Sequence, residues 1–120
     1  MRFVWVAVAG AAGAVSRYAI GLAVGPQRFP WATLGINLTG SLVLAFAVTL
    51  ATEHHFPVEV STAITVGFLG AYTTFSTFAW ETFAMGRAGR SGVAAVYVTA
   101  SVVGGLVCAW IGYATARALR

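Results

Sequence analysis

Long apolar runs alternate with short polar punctuation along the chain. Three stretches carry no formal charge: Phe29–Thr52, Val60–Trp80 and Ser91–Ala116. A fourth, Phe3–Val24, is interrupted only by Arg17. Each reaches the roughly 20 residues a helix needs to cross a hydrocarbon core about 30 Å thick. The connections are Gly25-Pro-Gln-Arg-Phe-Pro30, Glu53-His-His-Phe-Pro-Val-Glu59 and Gly86-Arg-Ala-Gly-Arg90, built from polar residues, Gly and Pro that punctuate helices. The pattern predicts an all-α integral membrane protein, one transmembrane domain over 1–120 with four helices near 3–24, 31–52, 60–85 and 92–116. Trp5, Trp31, Trp110 and Tyr113 fall near span ends, as an interfacial aromatic belt requires. A competing reading of the first run is a secretory signal cleaved after Ala7-Val-Ala9 or Ala12-Gly-Ala14. The apolar character resumes after Arg17 and continues to Val24, which favours a span.

Composition sharpens this picture. Hydrophobic residues make up 59% and charged residues 8%, with mean hydropathy +0.85, against about a quarter charged in soluble domains. So few charges cannot cover a water-facing surface. The net charge of +4 comes from seven Arg against three acids. These are scattered, whereas nucleic-acid binding needs them gathered on one face. Cys108 has no partner for a disulfide, and the adjacent His54 and His55 have no third metal ligand. Nothing resembles a catalytic constellation, so the chain is not read as an enzyme.

Four spans put the termini and the 53–59 loop on one side (side I) and the 25–30 and 86–90 loops on the other (side II). Side I carries Arg2, Arg117 and Arg120; side II carries Arg28, Arg87 and Arg90. Orientation follows the Lys/Arg imbalance, and the two sides match. A chain without bias can insert in both directions, and opposite copies would then pair about a two-fold axis in the membrane plane; the alternative on the residues alone is that one Arg near an end fixes a single orientation.

The polar residues within the spans suggest the chemistry. An intramembrane Arg costs roughly 2.5–3.5 kcal/mol on insertion scales and usually faces a partner or a wet path, the alternative being that its long stem snorkels to the nearer interface. Arg17 is a base where an exporter of organic cations needs an acid, which points to an anion. At about 1.5 Å per residue, Arg17 and Asn37 both lie ~9 Å from side II. Phe75 and Phe78 fall in the same half of the third span, and Tyr97 and Ser101 enter from that side. Thr33, Asn37 and Ser41 form one stripe, and Tyr97, Ser101 and Gly105 another. Most of these groups donate hydrogen bonds, and aromatic rings present a positive edge. Glu81 is the one nearby carboxylate, able to counter Arg17 or orient a hydroxyl. Glycine pairs 21/25, 35/40 and 104/105 read as close-packing positions. Gly67, Gly70 and the Thr73-Thr74 pair make the third helix weakest around residues 70–73, in mid-membrane. A break there would free carbonyls able to hold a hard monovalent cation. On the residues alone, a plain kink satisfied by the Thr hydroxyls is the alternative.

The chain resembles the Fluc (CrcB) fluoride channel family over nearly its whole length. The marks are Gly13-Ala-Val-Ser-Arg17-Tyr18, Gly35-Ile-Asn37-Leu-Thr-Gly40, and above all Gly67-Phe-Leu-Gly70-Ala-Tyr-Thr73-Thr74-Phe75-Ser76-Thr77-Phe78. The resemblance implies an antiparallel, dual-topology homodimer in the bacterial plasma membrane, with a third helix broken mid-membrane and passive fluoride efflux through two pores. It implies that Asn37, Phe75, Phe78, Thr77, Tyr97 and Ser101 line the anion path, to which Arg17 is added on the charge argument above. It also implies a central, structural Na+ on backbone carbonyls at the break, here assigned to Gly70 and Thr73, with Thr74, Ser76 and Glu81 as polar support. A further hydroxyl is common one turn after Ser101 in the family, and Gly105 stands there instead. The rival reading is a small dual-topology, proton-coupled multidrug exporter.

Overall fold

The computed structural model describes residues 1–119. It is all-helical, with α1 (Arg2–Val24), α2 (Trp31–Glu53), α3 (Val58–Thr62), a π-helical stretch (Ala63–Leu69), α4 (Gly70–Tyr72), α5 (Phe75–Arg87) and α6 (Ser91–Ala118). Three of these, α1, α2 and α6, are long and apolar enough to cross a membrane. The third apolar run of the sequence is divided. One rod runs from Val58 to Tyr72, two extended residues follow, and α5 resumes at Phe75.

Two helix pairs organise the molecule. α1 lies along the π-helical stretch and α4, while α2 lies along α6. Both pairs depend on glycine. A Cβ on Gly13 would overlap the carbonyl oxygen of Phe68, and one on Gly112 would overlap that of Leu42. On Gly67 it would come within 2.9 Å of the Val6 carbonyl. Backbones approach this closely only where small residues allow it. Gly67 is therefore a packing residue inside the rod, and Gly70 has ordinary helical angles (φ −64°, ψ −34°). The interruption falls three residues later, at Thr73-Thr74, where the β-branched pair and not the glycines leaves the helix. Of the glycine pairs expected to pack, Gly40 and Gly104 do so, against Thr73 and Leu38; Gly21 and Gly35 face open space, and Gly25 serves a turn at φ +68°.

The small core lies toward side II, where α5 meets α2 and α6. It comprises Leu34, Met85, Ala94 and Tyr97, flanked by Phe29, Leu38, Phe78 and Ala100. Most other large apolar side chains are exposed, Val15, Leu22, Val66, Leu106 and Trp110 among them. That is the expected surface of a chain whose surroundings are lipid or another subunit.

Candidate functional site

The extended pair is the centre of the site. Thr73 has φ −76°, ψ 159° and Thr74 φ −151°, ψ 110°. Leaving the helix removes backbone partners, and α2 replaces them. Asn37 Nδ2 donates to the Thr74 carbonyl at 3.0 Å, and the Thr74 amide donates to Asn37 Oδ1 at 2.8 Å. Because the amide can only donate, this pair fixes which end of the Asn side chain is oxygen. One turn on, Gly40 admits the Thr73 side chain, whose Cγ2 occupies the place a Cβ would need. Asn37 and Gly40 of one sequence motif thus fit Thr74 and Thr73 of the other, with the Thr39 and Tyr72 hydroxyls 3.0 Å apart beside them.

Thr74 also starts α5. Its hydroxyl accepts from the Thr77 amide at 3.3 Å and donates to Thr77 Oγ1 at 2.9 Å, a side-chain N-cap of the usual kind. The four carbonyls of Gly70, Ala71, Tyr72 and Thr73 lose their helical donors in consequence. The amides four residues on are those of Thr74, turned to Asn37, of Phe75 and Ser76 in the first turn of α5, and of Thr77, turned to the cap. The Ala71 carbonyl accepts from Arg17 Nε at 3.1 Å. Arg17 therefore braces the break and does not pair with Glu81.

Glu81 serves hydroxyls. Thr33 donates to one carboxylate oxygen at 2.9 Å and Tyr97 to the other at 2.7 Å. Tyr97 is fully buried, and its ring meets Phe78 edge-on at 5.1 Å. Phe78 in turn lies 5.8 Å from Phe75, which is 79% exposed. Ser101, one turn beyond Tyr97, has a buried hydroxyl with no hydrogen-bond partner among the described residues. Ser76 is exposed in the first turn of α5.

Two grooves flank the break, and Thr74 lines both. One, about 260 Å³, is bounded by Arg17, Thr33, Ile36 and Thr77; the other, about 230 Å³, by Asn37, Ser41, Thr73 and Phe75. The structure thus gathers Arg17, Asn37, Gly70, Thr73, Thr74 and Thr77 around the break, with Phe78, Glu81 and Tyr97 in an adjoining cluster. Sequence reasoning overlooked Thr33 as the second donor to Glu81, and Gly40 as the residue that makes room for Thr73. The four-residue spacing of Thr33 and Asn37 was visible, but its pairing with residues 48 and 37 positions away was not.

The chain matches the family model described as CrcB-like protein, Camphor Resistance (CrcB), over residues 4–113. It is 44% identical to a protein of Geobacillus kaustophilus named fluoride-specific ion channel FluC 2, covering 100% of this chain and 96% of that one. It is 39% identical to the fluoride-specific ion channel FluC of Acidobacterium capsulatum, with 93% of each chain covered. The like-named protein of Solibacter usitatus is 38% identical over 98% of this chain and 99% of its own. A family match across almost the whole sequence, with relatives at this identity and coverage, means that the chain belongs to the CrcB family.

Proposed function

We propose that this protein is a fluoride-selective channel of the bacterial plasma membrane, giving passive fluoride efflux. The observation that carries the reading is full-length similarity to relatives named fluoride-specific ion channels. The exporter alternative finds no support among them. Fluoride is small and tightly hydrated, so a path must offer several donors in place of water. Around the break, donors remain after internal bonding is satisfied. Asn37 uses one amide proton on Thr74 and keeps the other. Thr77 accepts from Thr74, which leaves its own proton free. The Ser101 hydroxyl has no partner among the described residues, and the exposed Phe75 ring can turn its edge outward. Tyr97 spends its proton on Glu81, so its part in the path is to hold the Phe78 ring through their edge contact.

The same reading treats 1–120 as one domain of four spans, with Val58–Arg87 as a third span broken at Thr73-Thr74. Two antiparallel copies would bring their breaks together at the two-fold axis. The donor-deprived carbonyls of Gly70 and Thr73 fit a structural Na+ there, since backbone oxygens suit a hard monovalent ion. The ion would add fixed positive charge between two anion paths.

Purified protein in liposomes tests the proposal. Fluoride should leak while chloride does not; no fluoride leak, or equal leak of both, overturns it. A single cysteine in the 53–59 loop should label from both sides, and labelling from one side alone overturns dual topology. Dimer stability should fall after prolonged replacement of sodium by N-methylglucamine; unchanged stability counts against the ion.

A further inference from the structure

A cavity of about 380 Å³ opens at the side II end, between the 25–30 loop, the start of α2, the later half of α5 and Arg90. It adjoins one groove at the break, with Ala32 and Thr33 on the shared wall, and combines two chemistries. Arg28 and Arg90 line it, and among the described residues neither guanidinium has an ion-pair or hydrogen-bond partner. Two side I arginines differ: Arg2 lies 2.9 Å from Glu59, and Arg117 lies 3.8 Å from Glu53 and donates to Tyr113; Arg120 lies outside the described residues. The one acid on the cavity wall is Glu81, both of whose oxygens accept from Thr33 and Tyr97. The equal arginine count of the two sides therefore hides an unequal charge, because Glu53 and Glu59 stand on side I and Glu81 alone stands toward side II. Helices α2 and α6 begin beside the cavity, and neither has a side-chain cap; the Trp31 amide donates to the Phe29 carbonyl at 2.8 Å, and the positive ends of the two helix dipoles add to the potential. The rest of the wall is mainly apolar and includes three aromatics: Phe29 and Trp31 are 4.6 Å apart, and Trp31 and Trp80 are largely exposed.

We propose that this cavity binds the phosphate of an anionic phospholipid, with Arg28 and Arg90 on the headgroup and Trp31 and Trp80 against the glycerol and upper acyl chain. Its level is that of lipid headgroups, at the ends of membrane-length helices. Free phosphate would satisfy the guanidinium groups and leave the indoles unused; a lipid uses both. The inference does not depend on the ion the protein conducts.

Native mass spectrometry of the full chain released from micelles tests it, with phosphatidylglycerol or phosphatidylcholine added. Phosphatidylglycerol should be retained in preference. Arg28→Gln and Arg90→Gln should each weaken its retention about fivefold, and the double variant about 25-fold, with phosphatidylcholine unaffected. Equal retention of the two lipids by the unaltered protein overturns the proposal, and this comparison holds even if a variant fails to fold. Undiminished retention of phosphatidylglycerol by a folded double variant also overturns it. Inorganic phosphate raising thermal stability as much as phosphatidylglycerol does would assign the cavity to a soluble anion instead.

Discussion

Replacing Asn37 by Ala would remove the only side chain that satisfies both backbone groups of Thr74. The two bonds, 3.0 and 2.8 Å long, are part-buried. A polar group left behind without its partner costs roughly 1–3 kcal/mol, and partial burial places each of these near the lower end. Two such losses amount to about 2–3 kcal/mol, which raises the open population of the break about 30- to 150-fold. Amide hydrogen exchange reads this directly. Peptides covering residues 70–78 should exchange faster by that factor, while peptides in the middle of α6 keep their protection. Asn37→Asp keeps an acceptor for the Thr74 amide and loses the donor to its carbonyl, so about half the effect is expected. If Asn37→Ala leaves exchange over 70–78 unchanged, the Asn does not hold the break, and the account of the Gly35–Gly40 motif fails with it.

The glycines offer a paired test. Gly13→Ala and Gly112→Ala drive a methyl into a facing carbonyl and should cost about 1–3 kcal/mol of thermal stability in micelles, whereas Gly21→Ala meets nothing within 4 Å and should be neutral or stabilise by up to ~1 kcal/mol. Tyr97→Phe deprives one Glu81 oxygen of its donor and should destabilise by about 1–3 kcal/mol; a double-mutant cycle with Thr33→Val should show coupling, and strict additivity would mean that the two hydroxyls do not share Glu81. Phe75→Ile changes a ring that is 79% exposed, so stability should stay within about 0.5 kcal/mol while fluoride flux falls. Phe78→Ile should lose about 0.5–1.5 kcal/mol through its edge contact with Tyr97; unchanged flux in both variants would return the two rings to a purely structural role.

The apolar runs were legible because a membrane-spanning helix is a local property. Length and hydropathy of α1, α2 and α6 follow from residues adjacent in sequence, and the structure carries them within a few residues of the expected bounds. A weak point in the third run was equally legible, since glycines and β-branched residues announce poor helix formers. Its position was not. Gly67 and Gly70 both stay helical, Gly67 where α1 packs closely against the rod, and the chain leaves the helix where α2 offers Asn37 as a substitute partner and Gly40 as a space. The fate of each charge was likewise undecided by sequence. Spacing let Glu81 face Arg17, but the fold sends Arg17 to the Ala71 carbonyl and gives Glu81 two hydroxyls. Counting arginines showed two balanced sides; only the fold reveals that Arg2 and Arg117 pair with acids while, among the described residues, Arg28 and Arg90 form no ion pair. Hydrophobic length is written residue by residue along the chain. The choice of partner for a polar group depends on which helix faces it, and tertiary packing alone decides that.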